Sequence, residues 1–207
     1  MPDRENQSAE CHELTAVQQV RALRAGEITS RTLTEHYLAR IDRLGGDLGA
    51  FVTVEADSAL AEADRADERL AHGEQPPLCG LPIGIKDLHP TAGIRTTFGS
   101  APLAGFVPPA DWGTVGLIRE AGAVVLRKTN TPEFGATCHT ESDVTARPAV
   151  TPYATSRYSS GSSGGAATAV AAGPLALAHG SDGAGSIRTR RCRPGTTTPT
   201  ASKASPT

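Results

Sequence analysis

The residues with the clearest chemical potential lie at positions 159–188, in the stretch SSGSSGGAATAVAAGPLALAHGSDGAGSIR. Two turns rich in glycine and serine flank a segment rich in alanine, and the turns contain Ser162 and Ser186. Glycine lets the backbone approach a ligand closely, and successive amides of such a turn can point at a developing negative charge. Both turns are therefore predicted to be binding loops, since a flexible linker rarely alternates with so apolar a segment.

Four short motifs occur in a fixed order along the chain. They are Gly-Leu-Pro-Ile-Gly-Ile-Lys-Asp at residues 80–87, Lys-Thr-Asn-Thr-Pro-Glu-Phe at 128–134, Gly-Ser-Ser-Gly-Gly at 161–165 and Gly-Ser-Asp-Gly-Ala-Gly-Ser-Ile-Arg at 180–188. In type, order and approximate spacing this set resembles the amidase signature family of serine hydrolases. The resemblance covers roughly residues 14–188.

The resemblance implies a catalytic triad of Lys86, Ser162 and Ser186. Ser186 matches the family's nucleophile, and Ser162 matches the bridging serine that the family holds on a cis peptide bond. Such a centre suits amide hydrolysis, because a serine hydroxyl is a weak nucleophile and must lose its proton as it attacks the poorly electrophilic amide. A lysine such as Lys86 can accept that proton only when it is neutral, and burial favours the neutral form.

Other residues of the second turn are expected to support this centre. The oxyanion of the tetrahedral intermediate would be held by four consecutive backbone amides, those of Gly183, Ala184, Gly185 and Ser186. Asp182 is expected to accept hydrogen bonds from the turn, Arg188 to brace it, and Ser163 to support the site. Ser160 and Ala184 are at positions where the family often has glycine. Alanine allows fewer backbone conformations than glycine, but Ala184 keeps the N–H group that would donate to the oxyanion.

The chain before and between these motifs predicts helices first and a sheet afterwards. Apolar periodicity and cap residues predict helices at residues 12–24, from Thr29 and Ser30 to a stop at Gly45-Gly46, and at residues 55–71. Strands and helices then alternate, at residues 81–85, 114–121, 123–126 and 165–178. The class is therefore α/β, and the resemblance specifies N-terminal helices followed by part of a mixed sheet flanked by helices, a truncated amidase signature fold.

These observations divide the chain into four parts. We expect a disordered tail at residues 1–10, an N-terminal helical region at 11–75, the N-terminal half of the amidase catalytic domain at 76–188, and an aberrant, disordered tail at 189–207. The last part has no Val, Ile, Leu, Phe, Tyr or Trp, so burial cannot offset its ordering entropy. The family continues with as much chain again, and we therefore expect this chain by itself to be inactive.

Composition restricts the partners. A net charge of −2 gives no basic field for nucleic acid or for an anionic membrane, and no apolar run approaches the length of a membrane helix. The four cysteines form no CxxC pair, and Cys138 with His139 supplies too few ligands for a metal. We expect a cytoplasmic protein with a small-molecule amide substrate and with no metal or cofactor. A homodimer of full-length relatives is compatible with this interpretation.

Other interpretations of the same residues remain open. Residues 161–165 fit G-x-S-x-G, which would make Ser163 the nucleophile of an esterase. That fold needs a strand just before the motif, but residues 155–160 are polar. It also needs a histidine after the acid in the sequence, whereas His179 precedes Asp182.

Neither turn has the residues of a phosphate-binding loop. Within the family, the alternatives are the glutamine-hydrolysing subunit of a tRNA-dependent amidotransferase, which needs partner subunits, and a frame-shifted remnant that catalyses nothing.

Overall fold

The computed structural model describes residues 11–54 and 56–188. The α-helices and strands of this part follow in the order α1 (Ala16–Ala25), α2 (Ser30–Leu48), β1 (Phe51–Val54), α3 (Ala56–Ala71), β2 (Pro82–Lys86), α4 (Gly113–Glu120), β3 (Val124–Thr129), β4 (Val150–Thr151), β5 (Ala154–Tyr158) and α5 (Gly164–Ala171). Short 3-10 turns lie at Cys11–Glu13, Ala101–Leu103 and Glu133–Gly135. In this described part, no helix is both long and apolar enough to cross a membrane.

The central sheet has the strand order β1-β3-β2. Strand β3 pairs antiparallel with β1 and parallel with β2, and every residue of β2 and β3 is buried. Strands covered on both faces are mostly apolar, which is why their short apolar runs are recognisable in the sequence. Lys86 is the last residue of β2 and lies beside Thr129 of β3. Its side chain is completely buried.

Two helices of the N-terminal region begin and end at signals in the sequence. Thr15 and Gln18 form a reciprocal capping box at the start of α1, and Gly26 ends that helix with φ of 70°. The predicted stop of the second helix at Gly45-Gly46 is wrong. Helix α2 continues to the buried Leu48, because burial of Leu48 adds another turn, and the left-handed residue that ends it is Gly49, with φ of 58°.

The alanine-rich helix is shorter than predicted. Helix α5 ends at Ala171 rather than at residue 178, because Gly173 adopts φ of 83° and Pro174 has no backbone N–H with which to continue the helix. The chain then runs beside β2, where Ala178 bridges Gly84. The second half of the predicted helix therefore returns the chain to the sheet just before the second serine turn.

Three strands escaped the sequence analysis. Strand β1 lies within the predicted helical region and pairs with β3, so a sheet strand interrupts that region. Strands β4 and β5 form a separate two-stranded ladder, and four of the five residues of β5 are exposed. The interpretation of residues 155–160 as lacking a strand because they are polar was wrong. A strand exposed on both faces has no apolar alternation to reveal it.

Two apolar clusters hold the elements together. The larger contains residues of α1, α2 and α3 together with Leu81, Leu126 and Leu175, so helices and sheet share one core. The smaller lies around Ile85 and Val115, the latter from α4. The predicted boundary between residues 75 and 76 stays a prediction, but both sides of it contribute to the larger cluster.

Helix α5 lies so close to the sheet that its second residue has no room for a side chain. A Cβ on Gly165 would overlap the Asn130 nitrogen and the Ala50 oxygen, and it would lie 2.8 Å from Asn130 Cα. The Gly165 amide also donates to the Asn130 carbonyl at 3.0 Å. Because these neighbours are backbone atoms, they can move away only if the strand moves. Gly165 thus fixes the distance between the first serine turn and β3.

We predict that Gly165→Ala lowers the free energy of unfolding by about 1–3 kcal/mol or more, the usual cost of overpacking. The matched control is Gly116→Ala within α4, where a Cβ would meet no atom within 4 Å. There the loss of glycine's excess flexibility should raise stability by about 0.5–1 kcal/mol. Urea unfolding measures both. Equal stability of the two variants would contradict the close approach of α5.

Candidate active site

The structure brings together the three residues predicted to form the triad. The Lys86 Nζ atom donates to Ser162 Oγ at 2.8 Å, and Ser162 Oγ donates to Ser186 Oγ at 2.8 Å. Lys86 and Ser162 are buried, whereas Ser186 is half-buried. The three side chains therefore form a continuous hydrogen-bonded chain that runs from the interior towards the surface.

The segment that follows β3 holds Ser162 in place. The Gly161–Ser162 peptide bond is cis, and the Thr131 hydroxyl donates to the Ser162 carbonyl at 2.9 Å. The Gly161 amide donates to the Cys138 carbonyl at 2.5 Å. A Cβ on Gly135 would lie 2.6 Å from Leu88 Cδ1 and 3.2 Å from Ser162 Oγ, so a side chain there would crowd both the leucine and the hydroxyl. The motif at residues 128–134 and the glycine after it therefore fix the position of Ser162.

The amine of Lys86 has a further set of contacts that the sequence analysis missed. Lys86 has no exposed surface, and its Nζ atom lies 3.1 Å from Ser181 Oγ and 3.4 Å from the Ser181 carbonyl oxygen. Ser163, predicted to support the site, donates from its hydroxyl to that same carbonyl at 3.1 Å. Ser181 lies inside the motif at residues 180–188, so the sequence indicates that it is near the site. Its contact with the Lys86 amine cannot be predicted from the sequence.

Asp182 organises the turn that contains Ser186. Its carboxylate accepts hydrogen bonds from the amides of Gly185 at 2.8 Å, Ile187 at 3.1 Å and Arg188 at 3.1 Å. The Arg188 guanidinium donates to both carboxylate oxygens, at 3.0 and 3.1 Å. The hydrogen bond from Arg188, together with those from the backbone amides, holds the pKa of Asp182 well below its usual range, against the opposing effect of burial.

One predicted donor of the oxyanion site already has a partner within the turn. The Gly185 amide is engaged by Asp182 Oδ1, so in this structure it points at the carboxylate and not at a substrate. A side-chain acceptor within the turn competes with any incoming oxyanion for this N–H group. The amides of Gly183, Ala184 and Ser186 remain candidates for that role.

Two half-buried histidines lie near the lysine. The rings of His89 and His179 meet edge to face with centroids 4.5 Å apart. Burial is the largest cause that lowers the pKa of His89 to about 4 and that of His179 to about 3, and the positive charges of Lys86 and Lys128 contribute to both values. Both imidazoles are therefore neutral at pH 7. The sequence analysis gave them no role in the site, because single histidines at residues 89 and 179 form no motif.

A metal cluster is absent from the described residues, and one cavity there lies apart from the triad. Within residues 11–54 and 56–188, no group of three or more His, Cys, Asp or Glu side chains could hold a metal ion. A cavity of about 410 Å³ lies beside strand β5 and is lined by Cys138, His139 and residues 156–160. Because no triad residue lines it, that cavity is separate from the hydrogen-bonded chain of Lys86.

We predict that Asp182→Asn speeds hydrogen exchange of the Gly185 and Ile187 amides at pH 7, because the neutral amide is a weaker acceptor than the carboxylate. The pKa of Asp182 is lower in the folded state, so its stabilisation is complete above the ordinary value of 3.8 and is lost as the pH falls through the folded-state pKa. The difference in protection between wild type and variant should therefore shrink below pH 3.8. The exposed Asp143→Asn is the control, and a difference independent of pH would contradict the role of charge.

Comparison with known proteins identifies relatives of this chain. A family model described as Amidase matches residues 32–189. A glutamyl-tRNA(Gln) amidotransferase subunit of Chromohalobacter salexigens is 46% identical over 177 residues, which are 86% of this chain and 36% of that protein. The chain thus spans about a third of the length of the curated relatives it matches.

Solved structures give the same result. An amidase family protein from Bacillus anthracis str. Ames is 29% identical with a TM-score of 0.79, over 88% of this chain and 38% of that one. A 6-aminohexanoate cyclic dimer hydrolase is 30% identical with a TM-score of 0.76, over 86% and 36%. Since the family model covers most of the residues, including every triad position, the chain belongs to the amidase family, whose members are the amidase signature enzymes.

Proposed function

We propose that this chain supplies the Ser-Ser-Lys centre of an amidase, which hydrolyses a carboxylic amide C–N bond through an acyl-enzyme on Ser186. The observation that supports this most directly is the chain of contacts from Lys86 Nζ through Ser162 Oγ to Ser186 Oγ, with both distances 2.8 Å. Contacts of this length allow proton transfer without rearrangement of the side chains. The order of the residues also puts the nucleophile at the accessible end.

In the first step, Ser186 Oγ attacks the amide carbonyl carbon. Its proton passes to Ser162 Oγ, and the Ser162 hydroxyl proton passes to a neutral Lys86 amine, so Ser162 ends the step as it began. Hydroxyl groups both donate and accept, which allows the contacts to operate in either direction. Full burial of Lys86 favours the neutral amine that this step requires.

In the second step, the tetrahedral intermediate collapses and the C–N bond breaks. The proton on Lys86 returns through Ser162 to the leaving nitrogen, which departs as an amine or ammonia and leaves an ester on Ser186. Water then attacks this ester with help from the same relay, and the carboxylic acid departs as Ser186 regains its proton. Each half of the cycle returns Lys86 to its neutral form.

The negative charge of the tetrahedral oxygen needs donors close to Ser186. The amides of Gly183, Ala184 and Ser186 lie in the turn that Asp182 holds, and we propose that they provide them. One such donor contributes roughly 3 kcal/mol to transition-state stabilisation. The esterase alternative fits the contacts less well, because the Ser163 hydroxyl donates to the Ser181 carbonyl and not to a histidine.

A second candidate function is favoured by the names of the curated relatives, which are glutamyl-tRNA(Gln) amidotransferase subunits at 43–48% identity. On this proposal the chain belongs to the glutamine-hydrolysing subunit of such a complex and works with partner subunits. The triad and its chemistry are the same. The two candidates differ in the amide that reaches Ser186 and in the need for partner subunits.

We predict that a fluorophosphonate probe labels the chain at Ser186 and that Ser186→Ala abolishes the labelling, since the probe reacts with a serine whose proton a base removes. Mass spectrometry of the labelled peptide locates the modified residue. Ser58→Ala, on the exposed face of α3, is the control that should leave labelling unchanged. A label on Ser163 would instead support the esterase.

The same labelling separates the two candidate substrates. Glutamine should slow the labelling of Ser186 if the chain belongs to a glutamine-hydrolysing subunit, whereas simple aryl or aliphatic amides should slow it for an amidase of small molecules. Amide turnover by the chain alone is measured separately, because the sequence analysis predicts that the chain by itself does not hydrolyse amides.

We also predict that Lys86→Arg and Lys86→Met slow the labelling of Ser186 by about 100-fold or more, the usual contribution of a general base. Arginine keeps the positive charge but cannot become neutral, and methionine has a similar length without an amine. Circular dichroism checks that each variant is folded. A folded variant labelled at the wild-type rate would remove Lys86 from the mechanism.

A further inference from the structure

A second lysine with no exposed surface lies on the strand next to Lys86. The register of the parallel pair sets Lys128 of β3 beside Ile85 and sets Thr129 beside Lys86, so the two lysines occupy neighbouring positions on adjacent strands. Removing an ammonium group from water is costly unless polar partners replace the water. The partners of Lys128 therefore indicate its role.

Those partners lie in the turn that follows Lys86. The Lys128 Nζ atom donates to the His89 carbonyl at 2.5 Å and to the Thr91 hydroxyl at 2.7 Å. The His89 amide donates in turn to the Lys86 carbonyl at 3.1 Å. Lys128 thus holds, from the adjacent strand, the far end of a turn whose near end is the backbone of Lys86.

The charge of Lys128 is balanced by a buried carboxylate next to Lys86 in the chain. Burial raises the pKa of Asp87, and the hydrogen bonds from Thr97 and the positive charge of Lys128 oppose that rise. The pKa of Lys128 is lowered to about 8, with burial as the largest cause; the charges of Asp87 and Asp111 oppose this shift and that of Arg119 adds to it. Within the described residues, Asp87 Oδ1 has no hydrogen-bond partner, so electrostatic attraction to Lys128 compensates part of its burial.

The turn held by Lys128 also supports the other side of the site. The His89 ring packs edge to face on His179, and the His179 amide donates to the Gly84 carbonyl of β2 at 2.7 Å. His179 lies two residues before Ser181, whose hydroxyl contacts the Lys86 amine. A shift of His89 would therefore displace His179. Through His179 it would move both the strand that ends at Lys86 and the segment that leads to Ser186.

We propose that Lys128 is a positioning residue for the base: by holding the His89 carbonyl, it fixes the turn after Lys86 and the imidazole on which the Ser181 segment packs. This inference rests on the proposed function, because it assumes that Lys86 serves as the base. Lys128 does not touch the reacting atoms. It acts through the backbone of residues 86–91 and through its charge.

The test compares Lys128→Met and Thr91→Val with wild type in the 207-residue chain, with the rate of fluorophosphonate labelling of Ser186 measured against pH. Lys128→Met should slow labelling at least tenfold, and the pH of half-maximal labelling should rise, because loss of a nearby positive charge makes protonation of the base easier. Thr91→Val removes one acceptor and no charge, so it should slow labelling without moving that pH. Arg65→Met, which removes an exposed cation on α3, should change neither.

Each outcome decides between the two proposals. Wild type that is not labelled at Ser186 would refute the proposed function and this inference with it. Wild type that is labelled, with Lys128→Met and Thr91→Val matching it in rate and pH dependence, would refute the inference alone. If Lys128→Met fails to fold, an unchanged rate for folded Thr91→Val refutes the inference and a slowed rate supports it. A slower Lys128→Met with an unchanged pH of half-maximal labelling would reduce Lys128 to a purely structural residue and overturn its role through charge.

Discussion

The buried amine of Lys86 is the group on which the rest of the site depends. A lysine with no exposed surface must either find acceptors for its hydrogens or lose its proton, and Ser162 and Ser181 surround it with hydroxyl and carbonyl oxygens. Those partners come from two turns that are far from Lys86 in the sequence. The fold must therefore hold three separate segments within hydrogen-bonding distance of one nitrogen atom.

The direction of the strands in the sheet brings these segments together. Strands β2 and β3 are parallel, so their carboxyl ends meet at one edge, where Lys86 ends β2 and the segment with Thr131 follows β3. Thr131 bonds to the backbone of Ser162, which ties the first serine turn to the same edge. Ligand sites of open α/β sheets commonly lie beyond the carboxyl ends of strands, and this arrangement follows that rule.

The sequence predicted the elements whose signals are local. Buried strands β2 and β3 were recognisable as short apolar runs. Lys86, Ser162 and Ser186 were selected together because the motifs that contain them resemble those of a known family. Contacts between distant segments were not visible. The polar strand β5 has no apolar alternation, Leu48 extends its helix past two glycines through burial, and the capture of the Gly185 amide by Asp182 depends on the exact path of one turn.

The carboxylate of Asp182 bears on the rigidity of the turn that contains Ser186. It contacts three backbone amides and one guanidinium, so bonds within the turn itself fix the backbone around Ser186. In water, solvent dipoles must turn to face a new oxyanion, and that reorientation contributes to the barrier. Under the proposed function, the amides of Gly183, Ala184 and Ser186 need less of this reorganisation, because Asp182 fixes the backbone of the turn that contains them. Part of the free energy of folding is in this way stored as electrostatic preorganisation of the site.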